Sequence, residues 1–313
     1  MKRGVYRTMV AGWLLMSSLT VMPCQAVAAT PTATAPDSIG TGSYPAMKEE
    51  VATLPDHVIY RPKDLATLGS DKLGLYIFGN GGCSADGASS RQHLLEIASH
   101  GYLAIAPGRI LSGPGAPPAP PRAAPPAGGK LTAATPARAL TEAIDWALRE
   151  NERPQSPFYH RIDASQIAVS GWSCGGLQAY AVATDPRIRT LVIMNSGLFP
   201  DGTNPIAGID VDKSQLGRLH GSILYVLGGK TDIAYPNGTD DFARVSTLPA
   251  AMVNIPVGHG GTYDQPNGGL AAKVVVAWLD WKLRNDPAAA RQFVGEDCGL
   301  CRSSELTIER KQF

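Results

Sequence analysis

"VSGWSCGGLQAY", residues 169–180, begins with a short apolar run. It turns through Gly171-Trp172-Ser173-Cys174-Gly175 and continues into residues that suit a helix. A serine between glycines at a strand-to-helix junction has a physical use. Small neighbours let strand and helix approach closely, the serine backbone is held in a strained turn, and the hydroxyl projects from the carboxyl edge of the sheet. The helix behind it presents unpaired N–H groups to a developing oxyanion. This reading makes Ser173 a nucleophile; the plainer alternative is a tight packing turn.

The flanking chain supports a sheet of buried parallel strands. "LGLYIFG" (73–79), "GYLAIAPG" (101–108), "QIAVSG" (166–171), "TLVIMNSG" (190–197), "SILYVLGG" (222–229) and "AAMVNIPVG" (250–258) read as strands apolar throughout. Between them "SSRQHLLEIASHG", "TPARALTEAIDWALREN", "CGGLQAYAVAT" and the short "SQLGRLHG" read as helices, and "GGLAAKVVVAWLDWKLRND" closes the chain as a long one. Its Val274, Val275, Trp278, Leu279 and Trp281 read as core. Such alternation predicts an α/β fold, mostly parallel and covered by helices on both faces. The Pro-rich stretch 112–129 fits neither helix nor sheet and reads as a surface insertion.

Composition narrows the function classes. The net charge is +1 without a block of like charge, so no nucleic-acid partner is expected. Residues 1–29 have a basic start (Lys2, Arg3, Arg7), an apolar core and small residues at 26–29, which together read as a cleaved signal peptide, with an uncleaved anchor, or a lipoprotein anchor at Cys24 that Pro23 fits poorly, as the alternatives. No membrane span is expected after cleavage, and the protein reads as secreted or periplasmic. Residues 30–54 read as a mobile lead-in, and 55–313 as a single domain. No GxGxxG after a strand, GxxxxGK[ST], HExxH or metal-ligand spacing appears, so no metal or organic cofactor is implied.

A serine hydroxyl needs a general base. Of the six histidines, His93, His100 and His160 lie in helical or loop stretches before the serine, His57 near the start of the mature chain, and His220 at a helix end. His259, in "IPVGHGGTY", follows the last apolar strand and so belongs to the edge that carries Ser173. Asp232, in "LGGKTDIAYP", follows the strand before and would orient that base. Asp201, one strand earlier, is the alternative. The second oxyanion donor should come from the loop Gly79–Gly82.

These residues resemble the α/β-hydrolase superfamily, within it the exported bacterial polyester-hydrolase/cutinase group and the neighbouring dienelactone-hydrolase-like enzymes. The similarity runs from about residue 55 onward through "FGNGG", "SRQHLLEIASHGYLAIAP", "SPFYHRIDASQIAVSGWSCGG", "LGGKTDIAYP", "VGHGGTY" and "KVVVAWLDWKLRND". It implies a triad of Ser173, Asp232 and His259, with oxyanion donors at Asn80 and Cys174. The chain departs from the polyesterases at Asn80, where they carry an aromatic residue. It departs also at Cys174, where they commonly carry Met, and at "NSGLFP", where they usually carry Trp. A small-molecule or polymeric ester is the expected substrate, and a smaller or more polar one than a polyester fits these departures. A peptidase or amidase on the same fold and a catalytically silent binding protein are the alternatives.

After signal cleavage removes Cys24, Cys83, Cys174, Cys298 and Cys301 remain. In an exported chain four cysteines suggest disulfides. Cys298 and Cys301 could form a redox motif or half a zinc site, but with no second ligand pair they read as a local bridge. Cys83 and Cys174 are then left to each other. Cys83 is three residues beyond Asn80, so two oxyanion donors that converge would bring the two cysteines together. The alternative is a free Cys174 packed behind the serine.

Overall fold

A computed structural model describes residues 1, 4, 36–118 and 131–313. The signal peptide read over 1–29 and most of the Pro-rich insertion lie outside these residues. The chain divides into two units after Pro31, and the second carries everything that follows.

One nine-stranded sheet runs through this unit. Its strands are β1 (Ala46–Val51), β2 (Leu54–Pro62), β3 (Leu73–Gly79), β4 (Tyr102–Pro107), β5 (Ile162–Trp172), β6 (Thr190–Met194), β7 (Ser222–Leu227), β8 (Ala250–Asn254) and β9 (Thr307–Lys311). They lie in the order β1-β2-β4-β3-β5-β6-β7-β8-β9. From β4 to β8 every pairing is parallel; β1, β2 and β9 are antiparallel to their neighbours. The helices are α1 (Arg91–Ser99), α2 (Arg138–Glu152), α3 (Cys174–Val182), α4 (Tyr235–Arg244), α5 (Gly269–Arg284) and the short α6 (Pro287–Ala290).

Alternation along β3 shows how both faces are covered. Leu75 and Ile77 point into a cluster with Leu140 and Ile144 of α2, Leu177 and Tyr180 of α3, and Phe242 of α4. Tyr76 and Phe78 point into the opposite cluster, with Leu94 and Ile97 of α1 and Val275, Trp278 and Leu279 of α5. Every residue of β3 is buried. That is why the inner strands are apolar throughout rather than alternating. Among the described residues no helix is long and apolar enough to cross a membrane.

The packed body starts earlier than the lead-in read over 30–54 suggests. The Thr41 N–H donates to Glu96 Oε2 at 2.8 Å, and the Tyr44 N–H donates to the Ser99 carbonyl at 3.0 Å. Residues 46–62 then form the antiparallel pair β1–β2 at one sheet edge. "SQLGRLHG" forms a 3-10 turn over Lys213–Arg218 rather than an α-helix. Trp281 is only partly buried, its ring lying under Lys282 Nζ at 3.4 Å.

Candidate active site

Strand order creates the crevice. From β3 the chain steps to β4 on one side, then crosses to β5 on the other. Loops leaving β3 and β5 therefore diverge at the carboxyl edge, where open α/β sheets hold their ligands. Asn80 follows β3 and Ser173 follows β5, with Gly79 and Gly171 paired in register between them.

Ser173 sits at φ 54°, ψ −117°, a conformation that costs a non-glycine residue about 1–3 kcal/mol. The surrounding turn holds it there. Its N–H donates to the Met194 carbonyl at 2.9 Å, and its carbonyl accepts from Ser196 Oγ at 2.7 Å. Glycine is required at 175, because a Cβ there would come within 2.0 Å of the Gly79 carbonyl oxygen.

His259 stands on the loop after β8. Its Nε2 is 2.9 Å from Ser173 Oγ, and its Nδ1 is 2.6 Å from Asp232 Oδ1. An ionised carboxylate can only accept, so Nδ1 carries the proton and Nε2 is free to accept from the serine hydroxyl. Asp232, on the loop after β7, is 1% exposed. Burial pushes its pKa up. Hydrogen bonds from His259, the Ala234 and Gly228 N–H groups and Asn195 outweigh that and hold it below the ordinary carboxylate value.

The structure brings these three side chains together and leaves the alternatives elsewhere. Asp201 is exposed and accepts from the Lys213 N–H at 3.3 Å. His57 bridges the Pro55 and Ala139 carbonyls, His93 meets the Tyr76 hydroxyl, and His100 pairs with Glu96. His160 lies against the Tyr159 ring and His220 faces the Ile188 carbonyl.

On the other side of Ser173, Asn80 is 1% exposed and its side chain is turned inward. Asn80 Nδ2 donates to the Pro107 carbonyl at 2.6 Å and to that of Ser84 at 3.3 Å. The Asn80 amide is thus spent on the loop's own carbonyls. Cys174 opens α3, where the first N–H groups have no acceptor within the helix.

Cys83 and Cys174 form a disulfide with a Cα separation of 5.2 Å, and Cys298 and Cys301 form a second. The first ties the loop after β3 to the start of α3 across 91 residues. Constraining so long a loop in the unfolded chain stabilises the fold by about 2–5 kcal/mol. Replacing both Cys83 and Cys174 with serine is therefore expected to lower unfolding free energy by that amount, measured by urea titration. An unchanged midpoint would contradict this account. Both residues are buried, at 4% and 1% exposure, so reductant should act slowly on the folded protein.

Beside Ser173 and His259 opens a cavity of about 590 Å³. Its walls are largely apolar, built by Leu131, Leu177, Phe199, Pro205, Ile206 and Ile233, with Asn195, Ser196 and Asn237 as polar points. The loop after β6 supplies much of the wall. It is anchored from beneath by Lys213, whose Nζ lies 2.5 Å from the buried Asp241. Among the described residues no group of three or more His, Cys, Asp or Glu side chains is placed to hold a metal ion.

Three residues that contact the site carried no signal in the sequence reading. The Trp172 indole N–H donates to the His259 carbonyl at 3.0 Å, fixing that loop. Asn195 and Tyr263 meet behind Asp232. The usable clue for Asn195 was its position just past a strand, on the same edge as Ser173, Asp232 and His259. The chain matches no protein-family model, and no curated protein is significantly similar to it in sequence.

Proposed function

We propose that this chain is an exported serine carboxylic-ester hydrolase of the α/β-hydrolase fold. The observation that carries the reading is the unbroken line Ser173–His259–Asp232, at 2.9 and 2.6 Å, in the crevice where the strand order reverses. Ser173 Oγ attacks the ester carbonyl while His259 Nε2 takes its proton. Asp232 holds the ring and stabilises the imidazolium. The N–H groups of Asn80 and Cys174 receive the oxyanion, and loss of one such donor typically costs about 10²–10³ in rate. His259 then passes the proton to the leaving alcohol, and water attacks the acyl-enzyme by the same route in reverse.

The cavity supports an uncharged, apolar group beside the scissile bond. Among the described residues that line it, His259 is the only one with an acidic or basic side chain, so a charged group there would lose its hydration without a partner among them. This favours an apolar acyl or alcohol group over the more polar ester that the oxyanion-loop departures suggest. The basic and apolar leader read in the sequence, together with two disulfides, supports export to an oxidising compartment.

The test is a panel of p-nitrophenyl esters of increasing acyl length set against aminoacyl-p-nitroanilides, with a fluorophosphonate probe in parallel. Ester turnover and a Ser173 adduct are expected, with kcat/KM rising as the acyl group lengthens into the cavity. Faster anilide than ester turnover would make the protein a peptidase or amidase. No turnover and no adduct would leave a binding protein.

A further inference from the structure

Asn195 lies just past β6, buried, with its backbone at φ 43°, a region that Asn tolerates better than most residues. Its Nδ2 donates to Asp232 Oδ2 at 2.8 Å and to the Gly258 carbonyl at 3.2 Å. Its Oδ1 accepts from the Tyr263 hydroxyl at 2.6 Å. The reverse orientation of the amide would set its oxygen against the carboxylate, and Tyr263 supplies the donor that prevents this. Burial raises the Tyr263 pKa well above its ordinary value, so the hydroxyl keeps its proton. The Tyr263 ring stacks on Trp172 at 4.7 Å, and Trp172 holds the His259 carbonyl. The strand leading to Ser173 and the loops carrying Asp232 and His259 are thus joined through one side-chain amide and one phenol.

We propose that Asn195, oriented by Tyr263, is the positioning residue that keeps Asp232 in place and proton-free behind His259. The proposal rests on the reading of Ser173, His259 and Asp232 as a triad. Without the amide, Asp232 Oδ2 keeps the Gly228 N–H, at 2.9 Å, and Oδ1 the Ala234 N–H, at 2.9 Å; the carboxylate loses its one side-chain tether on the face away from the imidazole and is held less firmly against it. A group that merely satisfies itself in the core would affect stability but not the pH profile.

Asn195→Asp separates the two roles. The titratable groups around this position are Asp232, His259 beyond it, and Tyr263. At low pH the substituted carboxyl is protonated and can donate to Asp232 as the amide does. As pH rises that proton leaves, and two carboxylates in contact cannot both ionise without strong repulsion. The variant is therefore expected to gain a descending alkaline limb in kcat that the wild type lacks. Tyr263→Phe removes only the hydroxyl and frees the amide to turn. Its kcat should fall by ~10–100-fold, with KM within about twofold. That is the usual effect of a partner standing behind a metal ligand, and it is less than the ~10⁴ lost with the triad carboxylate's charge.

The experiment measures kcat and KM from pH 5 to 9 for wild type and both variants. Unfolding midpoints and the rate of fluorophosphonate labelling are followed alongside. Wild type labelled at Ser173, with both variants keeping its kcat and pH profile, would overturn the positioning role. Wild type that does not label would instead overturn the triad itself. If Asn195→Asp does not reach the wild-type circular dichroism, Tyr263→Phe decides alone: the ~10–100-fold fall in kcat at constant KM supports the role, and an unchanged kcat removes it.

Discussion

Replacing Ser173 with alanine is expected to lower ester hydrolysis by about 10⁶-fold, the loss seen when a triad nucleophile is removed, while the fold persists. The hydroxyl's hydrogen bond to His259 Nε2 spans 2.9 Å, and nothing in the packing depends on it. The turn is held by backbone groups and by Ser196, which alanine leaves in place. Alanine also inherits the same positive φ, so it adds no backbone strain beyond what serine already carries. Fluorophosphonate labelling should vanish with the activity. Retention of more than a few per cent of turnover, with an unchanged circular dichroism spectrum, would remove Ser173 from the mechanism.

Asp232→Asn should cost about 10⁴ in kcat and leave KM nearly unchanged, because the amide favours the wrong imidazole tautomer. The same substitution has a stability signature whose sign follows from the depressed pKa of Asp232. A carboxyl held below its ordinary value contributes stability that is complete above its unfolded pKa of about 3.9. That contribution is lost as pH falls through the lower folded value. The gap in unfolding midpoint between wild type and Asp232→Asn should therefore be full at neutral pH and narrow in acid below about pH 4. A gap that stayed constant down to pH 2, or a larger kinetic loss in Asp201→Asn, would show that the wrong carboxylate has been assigned.

The parts of the site legible in the sequence are those set by short-range geometry. Ser173 announces itself because strand, turn and helix are contiguous and the glycines have no other good use. His259 and Asp232 follow from counting strands, since each comes just past an apolar run and all such ends share one edge. The Cys83–Cys174 pairing was reachable for the same reason, through the requirement that two loops meet at one oxyanion. For Asn195 the sequence offered its place on that edge but not its role. Its role exists only where three loops converge, and an Asn after a strand looks like any turn residue.

The missed elements have a common physical origin. β1, "AMKEEV", and β9, "TIERK", carry charges at three positions each, so no apolar run marks them. α4 begins "YPNG", which reads as a turn. Proline suits the first turn of a helix, but the helix that follows buries only Gly238, Asp241 and Phe242, so no apolar stripe marks it. β2, "LPDHVIYRP", buries Val58, Ile59 and Tyr60 but carries Pro, Asp and Arg around them, so it too went unread; the strands from β3 to β8 are apolar on both faces and had no such ambiguity.

Those charged border strands have a consequence for the chain in a crowded solution. β8, "AAMVN", is almost wholly buried, and left uncovered it would offer a flat apolar ladder to any passing strand. β9 occupies that ladder and presents Glu309, Arg310 and Lys311 in its place. At the opposite border β1 does the same with Glu49 and Glu50, while the Lys48 side chain turns inward to pair with Asp37. Charged margins of this kind discourage edge-to-edge association. The six-stranded parallel centre is thereby kept from serving as a template for aggregation, and the two least conspicuous segments of the sequence act as its selvedge.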